Sequence, residues 1–135
     1  MAKSVLIADD NAFARQRLGE LFNREPDFEV CAVAENGRKA IEEAQESHPD
    51  LILLDLSMPV MNGVDAARVL KQLMPEVPIV MFSIHNDAFI EREARSAGVA
   101  ALVSKFEDMS ELLGIARNLL YPTTLDHLPA ASLRR

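Results

Sequence analysis

Several things are scarce in this chain of 135 residues. It has one cysteine, Cys31, so no internal disulfide can form, and in the apolar run "FEVCAVA" that residue reads as a buried small hydrophobe. It has no tryptophan and one tyrosine, so the core must be built from aliphatic side chains and a few phenylalanines. No apolar run reaches the ~20 residues that a membrane helix needs. The opening "MAKSVLIADD" meets two aspartates too soon to be a signal peptide. Basic residues are outnumbered 14 to 21, giving a net charge of −7, which argues against binding nucleic acid or an anionic membrane. The expectation is a reduced, cytoplasmic protein of a single domain.

What is present is a regular alternation. Short runs rich in Val, Ile and Leu fall at Val5–Ala8, Phe28–Ala32, Leu51–Leu54, Ile79–Phe82 and Ala100–Val103. Little polar alternation interrupts them, as expected of strands covered on both faces. Segments with helical spacing lie between them: Ala14, Leu18, Leu21 and Phe22; Ala40, Ile41 and Ala44; Ala67, Leu70, Leu73 and Met74. A sparse stripe of Phe89, Ile90, Ala94 and Ala97 follows Asp87, and a strong one runs from Met109 to Leu120. Pro26, Asn36-Gly37, Pro49, Asn62-Gly63, Pro78 and Gly98 punctuate the elements. Five strands alternating with five helices predict βαβ units and a parallel sheet. The pattern stops after Tyr121, and residues 122–135 read as a linker or loose tail.

Polar residues sit where such a sheet binds ligands, at the carboxyl ends of its strands. Strand 1 ends in Asp9-Asp10, strand 3 in Asp55, strand 4 in Ser83 and strand 5 in Ser104-Lys105. Each alone has an ordinary explanation. Asp9-Asp10 could cap the next helix, Ser83 could bond to backbone, and Lys105 could be a solvated surface lysine. Together they describe one small site. Three clustered carboxylates repel unless a cation sits among them, and hard oxygen ligands suit Mg²⁺. A carboxylate can also act as a nucleophile toward phosphorus, giving an aspartyl phosphate. Phosphoryl transfer needs chiefly charge neutralisation and alignment, which a metal, an ammonium and a hydroxyl provide.

The motifs "VLIADDN", "DLILLDLSMPVMNG", "VPIVMFS" and "ALVSK" stand in an order and at a spacing that resemble the receiver domain of two-component response regulators. The likeness covers about residues 3–121, so the domain is taken as 1–121. "PDFEVCAVAENGRKAIE" and "DLSMPVMNGVDAAR" look most like the NarL/LuxR-type subfamily, whose members usually carry a C-terminal helix-turn-helix. The resemblance implies a flavodoxin-like, doubly wound sheet of strand order 2-1-3-4-5 with five helices. It implies that Asp55 accepts a phosphoryl group from a histidine kinase or phosphotransfer protein. It also implies that Asp10, Asp55 and the Ser57 backbone carbonyl ligate Mg²⁺, with Asp9 acting through water. Lys105 would pair with the phosphoryl oxygens and Ser83 would move to bond them. Such a domain catalyses only its own phosphorylation and dephosphorylation. A homodimer through helix 4, strand 5 and helix 5 is compatible with it, as is a DNA-binding domain following residue 135.

The chain also departs from that pattern. The family usually has a cis-proline after the lysine; here Phe106 follows, and a non-proline cis bond costs ~3 kcal/mol. The usual switch aromatic three residues before the lysine is Leu102. Ser57 and His85 stand two residues beyond the phosphoacceptor and the switch hydroxyl, where they would tune how long a phosphoryl group lasts. A flavin-binding relative of the fold would want a hydroxyl- and glycine-rich loop after strand 1, where this chain has two aspartates. An aspartyl phosphatase would want an acid in place of Ser57. The remaining alternative is a degenerate receiver that serves as a phosphorylation-independent interaction module.

Overall fold

The computed structural model describes residues 2–84, 87–105 and 109–121, without the side chain of Met109. The Lys105–Phe106 junction, His85 and the tail 122–135 fall outside the described residues. In chain order the elements are β1 (Lys3–Ala8), α1 (Ala12–Asn23), β2 (Phe28–Ala34), α2 (Gly37–Ser47) and β3 (Leu51–Asp55). They continue with α3 (Gly63–Leu73), β4 (Ile79–Ser83), α4 (Ala88–Ser96), β5 (Ala101–Ser104) and α5 (Met109–Leu120). All strand pairs are parallel, in the order β2-β1-β3-β4-β5. This is the flavodoxin-like arrangement that the motifs implied.

The period of two along each strand divides the core into two layers. Ile52, Leu54, Ile79 and Met81 turn to the face covered by α2, α3 and α4, against Ala40, Ala44, Ala67, Leu70 and Ala94. Leu51, Leu53, Val80 and Phe82 turn to the face covered by α1 and α5, against Leu18, Phe22, Leu112, Leu113 and Ala116. Every residue of β3 and β4 is buried. Truncating any of these leucines to alanine would cost about 2–5 kcal/mol. That rigidity lies directly behind the carboxyl ends of the strands.

Strand β2 departs from the expectation of cover on both faces. It is an edge strand, with Glu29 exposed and Val33 half-exposed. Its register against β1 jumps between Val5↔Val30 and Leu6↔Ala32, so Cys31 is an extra residue without a counterpart. The bulge resets the alternation. Phe28 and Val30 pack on the α1/α5 layer, whereas Ala32 and Ala34 pack on the other. Cys31, expected to be buried, is therefore only half-buried, with its Sγ 3.6 Å from Ser47 Oγ. Helix α4 brings a second correction. Phe89 belongs to its apolar stripe by spacing but is 59% exposed, and Ala94 is the helix's buried residue.

Both Asn-Gly pairs begin helices. Asn36 and Asn62 cap α2 and α3 by accepting from Lys39 N and Asp65 N at 2.9 Å, and Asp87 caps α4 in the same way. Each such cap contributes about 1 kcal/mol. The glycine after each asparagine admits a neighbouring backbone: Gly37 N donates to Met61 O at 2.9 Å, and a Cβ on Gly37 would overlap that oxygen. Gly19, inside α1, has nothing within 4 Å of where its Cβ would lie. Gly37→Ala should therefore destabilise the protein by about 1–3 kcal/mol, while Gly19→Ala should stabilise it by about 0.5–1 kcal/mol. Urea unfolding of the two variants beside the wild type measures both; equal effects would contradict the close approach at Gly37.

Candidate functional site

The sheet delivers four of the expected site residues to one place. Asp9 follows β1 directly, and its N–H donates to Ala34 O at 3.0 Å, extending the ladder by one residue beyond Ala8. Asp55 ends β3, and Leu56 N donates to Phe82 O at 2.9 Å. Lys105 follows β5, with its N–H donating to Ser83 O at 3.1 Å. Ser83, at the end of β4, is buried between them. Each residue is held by sheet hydrogen bonds on rigid backbone.

Lys105 is no solvated lysine. Its Nζ donates to Asp9 Oδ2 at 3.1 Å and lies 3.2 Å from Asp55 Oδ1. The second Asp9 oxygen, Oδ1, accepts from Asn11 N at 2.9 Å. Asp9 is fully buried and both its oxygens are engaged. Asp10 is exposed. One oxygen from each of Asp9, Asp10 and Asp55 lies within 4.8 Å of the others. The helix-cap reading of the two aspartates is corrected by Asn11, which caps α1 through Ala14 N at 3.0 Å.

The loop from β3 to α3 forms the open side. Gly63 N donates back to Leu56 O at 2.8 Å, and Met61 N to Pro59 O at 2.7 Å. The second bond closes a γ-turn around Val60, whose φ is +69°. A β-branched residue there is strained, at a cost of order 1–3 kcal/mol. Ser57 is exposed and shares with Asp10 a groove of about 640 Å³ that runs between α3 and α4. Leu102 is half-buried and packs on the α2/α3/α4 layer, away from the acids.

Electrostatics follow from this crowding. Burial, then the neighbouring Asp9 charge, push the Asp55 carboxyl up to about 6, although Lys105 pulls in the opposite direction. Burial works against the Lys105 ammonium, but the hydrogen bond to Asp9 and the charges of Asp55 and Asp9 outweigh it and raise its pKa. The lysine stays charged, and Asp55 has a reason to lose its proton to a cation. Three hard carboxylate oxygens with one exposed side fit a small divalent ion such as Mg²⁺ better than a soft or tetrahedral metal.

The sequence reading missed Asn11, Arg15 and Val60. Arg15 Nη1 donates to the Asp9 carbonyl at 2.7 Å. Asn11 carried a signal, since an Asn just before an apolar helical stripe is an N-cap pattern. Arg15 and the positive φ of Val60 carried none.

The raised Asp55 value has a consequence for stability. The folded protein holds this proton more tightly than the unfolded chain, so ionising Asp55 costs stability. The loss begins as pH rises past the ordinary carboxylate range and is complete above about 6. At pH 7.5 without divalent metal, Asp55→Asn should be more stable than wild type by of order 2 kcal/mol, with the difference closing near pH ~4. Urea unfolding at the two pH values reads this out; a difference independent of pH would contradict it.

Similarity to known proteins points the same way. Residues 5–117 match the model of the response regulator receiver domain. The chain is 42% identical over 113 residues to a protein-glutamate methylesterase/protein-glutamine glutaminase of Shewanella frigidimarina, covering 82% of this chain and 28% of that protein. It is 41% identical over 128 residues to the Vibrio cholerae protein of that name, covering 93% and 34%. The chain thus spans about a third of the length of these relatives. Among solved structures, the response regulator domain of Thermotoga maritima CheB superposes with a TM-score of 0.83 at 29% identity, covering 91% of this chain and 99% of that one. A LuxR-family response regulator from Aurantimonas gives 0.84 at 27%, covering 89% and 86%. With its parallel 2-1-3-4-5 sheet and the acids at its carboxyl edge, the chain belongs to the response regulator receiver domains of two-component signalling.

Proposed function

We propose that Asp55 is a phosphoacceptor, taking a phosphoryl group from the phosphohistidine of a sensor kinase or phosphotransfer protein. The observation that carries this is the shared ammonium: Lys105 Nζ bridges Asp9 and Asp55 while Asp10 faces the open side. An Asp55 carboxylate oxygen attacks phosphorus, an O–P bond forms, and the P–N bond to the imidazole breaks, the ring nitrogen keeping the electron pair. Water later attacks the same phosphorus, releasing inorganic phosphate and restoring the carboxylate.

Mg²⁺, held by Asp10, Asp55 and the Ser57 carbonyl, would supply the charge neutralisation that phosphoryl transfer requires. Asp9 has both oxygens committed to Asn11 and Lys105, which supports a role for it through water. Lys105 keeps a fixed positive charge beside the incoming phosphoryl oxygens, a charge-assisted contact. Ser83, buried beside it at the end of β4, is the hydroxyl those oxygens would draw inward. Ser57, on the open rim, and His85 would tune hydrolysis.

The phosphoryl group adds nearly two negative charges, and α4 is the element that answers. Its anchor is slight: one buried alanine, with Ile90 half-buried. Leu102 beneath it has no ring to follow Ser83 and would make an aliphatic rotamer change. The responding face, α4–β5–α5, is also the surface proposed for a phosphorylation-dependent homodimer or for contact with an effector. Among the described residues no helix is long and apolar enough to cross a membrane, and a cytoplasmic location beside the kinase's catalytic part completes the proposal. The chain is read as a signalling switch that acts on no substrate beyond its own phosphoryl group.

Two measurements test this reading. Incubation with Mg²⁺ and a small phosphodonor, followed by intact mass, should add one phosphoryl group to wild type and none to Asp55→Asn. Asp10→Ala should slow the addition by more than the ~10–100-fold typical of losing an outer-shell partner. Wild type that stays unmodified would support the phosphorylation-independent module instead. Amide exchange with a beryllofluoride mimic should change chiefly over residues 84–106. Lys105→Ala should suppress that change more than it blocks phosphorylation, and a change centred on α1 would contradict the switch.

A further inference from the structure

We propose that Arg15 is a positioning residue that aims the Asp10 carboxylate at the metal, an inference that rests on the phosphoacceptor reading above. Asp9 is tied down at almost every polar atom. Its N–H bonds to Ala34 O, its carboxylate to Asn11 N and Lys105 Nζ, and its carbonyl accepts from Arg15 Nη1 at 2.7 Å. Asp10 is the opposite case. It is exposed, and its carboxylate makes no hydrogen bond or ion pair among the described residues. The position from which it reaches is therefore set by the backbone before it.

The constraint is geometric. A peptide unit is planar, so the Asp9 carbonyl oxygen, the Asp10 nitrogen and the Asp10 Cα move as one body. With the Asp9 N–H and side chain fixed, and Asn11 N bonded to Asp9 Oδ1 beyond it, rotation about the Asp9 Cα–C bond is the main backbone freedom left to displace Asp10, besides the turning of its own side chain. The Arg15 guanidinium closes it by gripping the carbonyl at the far side of that plane. Arg15 is suited to this by its place in the first turn of α1, where its own N–H bonds to Asn11 O at 3.0 Å. Its side chain reaches back over the cap to the end of β1. The Asp10 Cα is thus held where its carboxylate reaches the metal position, with no partner that would have to be displaced when metal binds.

The test separates geometry from charge. Metal-free wild type, Arg15→Ala, Arg15→Gln and Arg17→Ala are titrated with Mg²⁺, following the amide shifts of Asp9, Asp10, Asn11 and Asp55. Arg17 lies on the same helix with its guanidinium over the Phe13 ring, so its loss removes the same charge without touching the Asp9 carbonyl. Arg15→Ala should weaken Mg²⁺ binding by ~10-fold, as losing an outer-shell partner of a metal ligand does, and Arg17→Ala should leave it unchanged. The rate with a small phosphodonor at saturating Mg²⁺ should stay within about twofold of wild type, because bound metal restores the aim. Equal weakening in Arg15→Ala and Arg17→Ala would overturn the proposal, as would unchanged affinity or a loss confined to the saturated rate. Should Arg15→Ala fail to fold, Arg15→Gln decides by the same affinity criterion. If wild type itself shows no Mg²⁺-dependent shift, the phosphoacceptor reading falls and this inference with it, whereas a normal wild type beside an unaffected Arg15→Ala removes the inference alone.

Discussion

Three carboxylates drawn to within 4.8 Å of one another repel, and the rest of this structure is arranged around answering that repulsion. The answer begins in topology. Strand order reverses between β1 and β3, so the connections that leave them turn to opposite faces and open a crevice at their carboxyl ends. Asp9 and Asp55 stand side by side at that reversal. The compensating ammonium comes from the far edge of the sheet, with Lys105 reaching back across β4 from the end of β5. One positive charge for three acids leaves the site short of cation. Burial and, after it, that shortage raise the Asp55 pKa, and the unmet negative charge makes the site receptive to a small divalent ion.

Such a site needs a rigid floor, and β3 and β4 provide it. All ten of their residues are buried, so the backbone that carries Asp55 and Ser83 has little room to yield. The loop beyond Asp55 is held just as closely. Gly63 returns a hydrogen bond to Leu56, Gly37 bonds to Met61, and the chain between them passes through the strained turn at Val60. By contrast, α4 faces the same rim with a single buried alanine and an exposed Phe89. The side of the rim that carries the acids is thus packed far more tightly than the side formed by α4.

Much of this could be read from the chain itself. "LILLD" and "IVMFS" are unbroken apolar runs because both faces of those strands are covered, and their final polar residues mark the binding edge. The helices carried their stripes, and the order of the acidic, hydroxyl and ammonium residues placed them at one rim. What the residues did not disclose depends on tertiary context. The bulge at Cys31 exists because Phe28–Val30 and Ala32–Ala34 serve different layers, and no local pattern distinguishes that from a straight strand. Phe89 has helical spacing but lies outside the contact. Arg15 is one of two arginines on α1, and only its reach to the Asp9 carbonyl sets it apart. The Asn-Gly pairs read as breaks between elements, and they are helix starts whose glycines make room for another segment.

The other end of the molecule has its own fastening. Arg117, in the last turns of α5, bonds to Asp27 through Nε at 2.9 Å and to Glu25 through Nη2 at 2.6 Å, with its guanidinium over the Phe28 ring. Its hydrogen bonds to Asp27 and Glu25 hold it firmly protonated. Tyr121 O–H reaches Asp27 O at 3.4 Å, and Lys3 Nζ lies over the tyrosine ring. These contacts clamp the exit of the chain to the β1 and β2 entrances, at the opposite edge of the sheet from Lys105. A pull on the chain beyond Tyr121 would load several contacts at once before it could peel α5. Force applied at Tyr121 would thus be borne first by this clamp, which lies at the end of the strands opposite the acids.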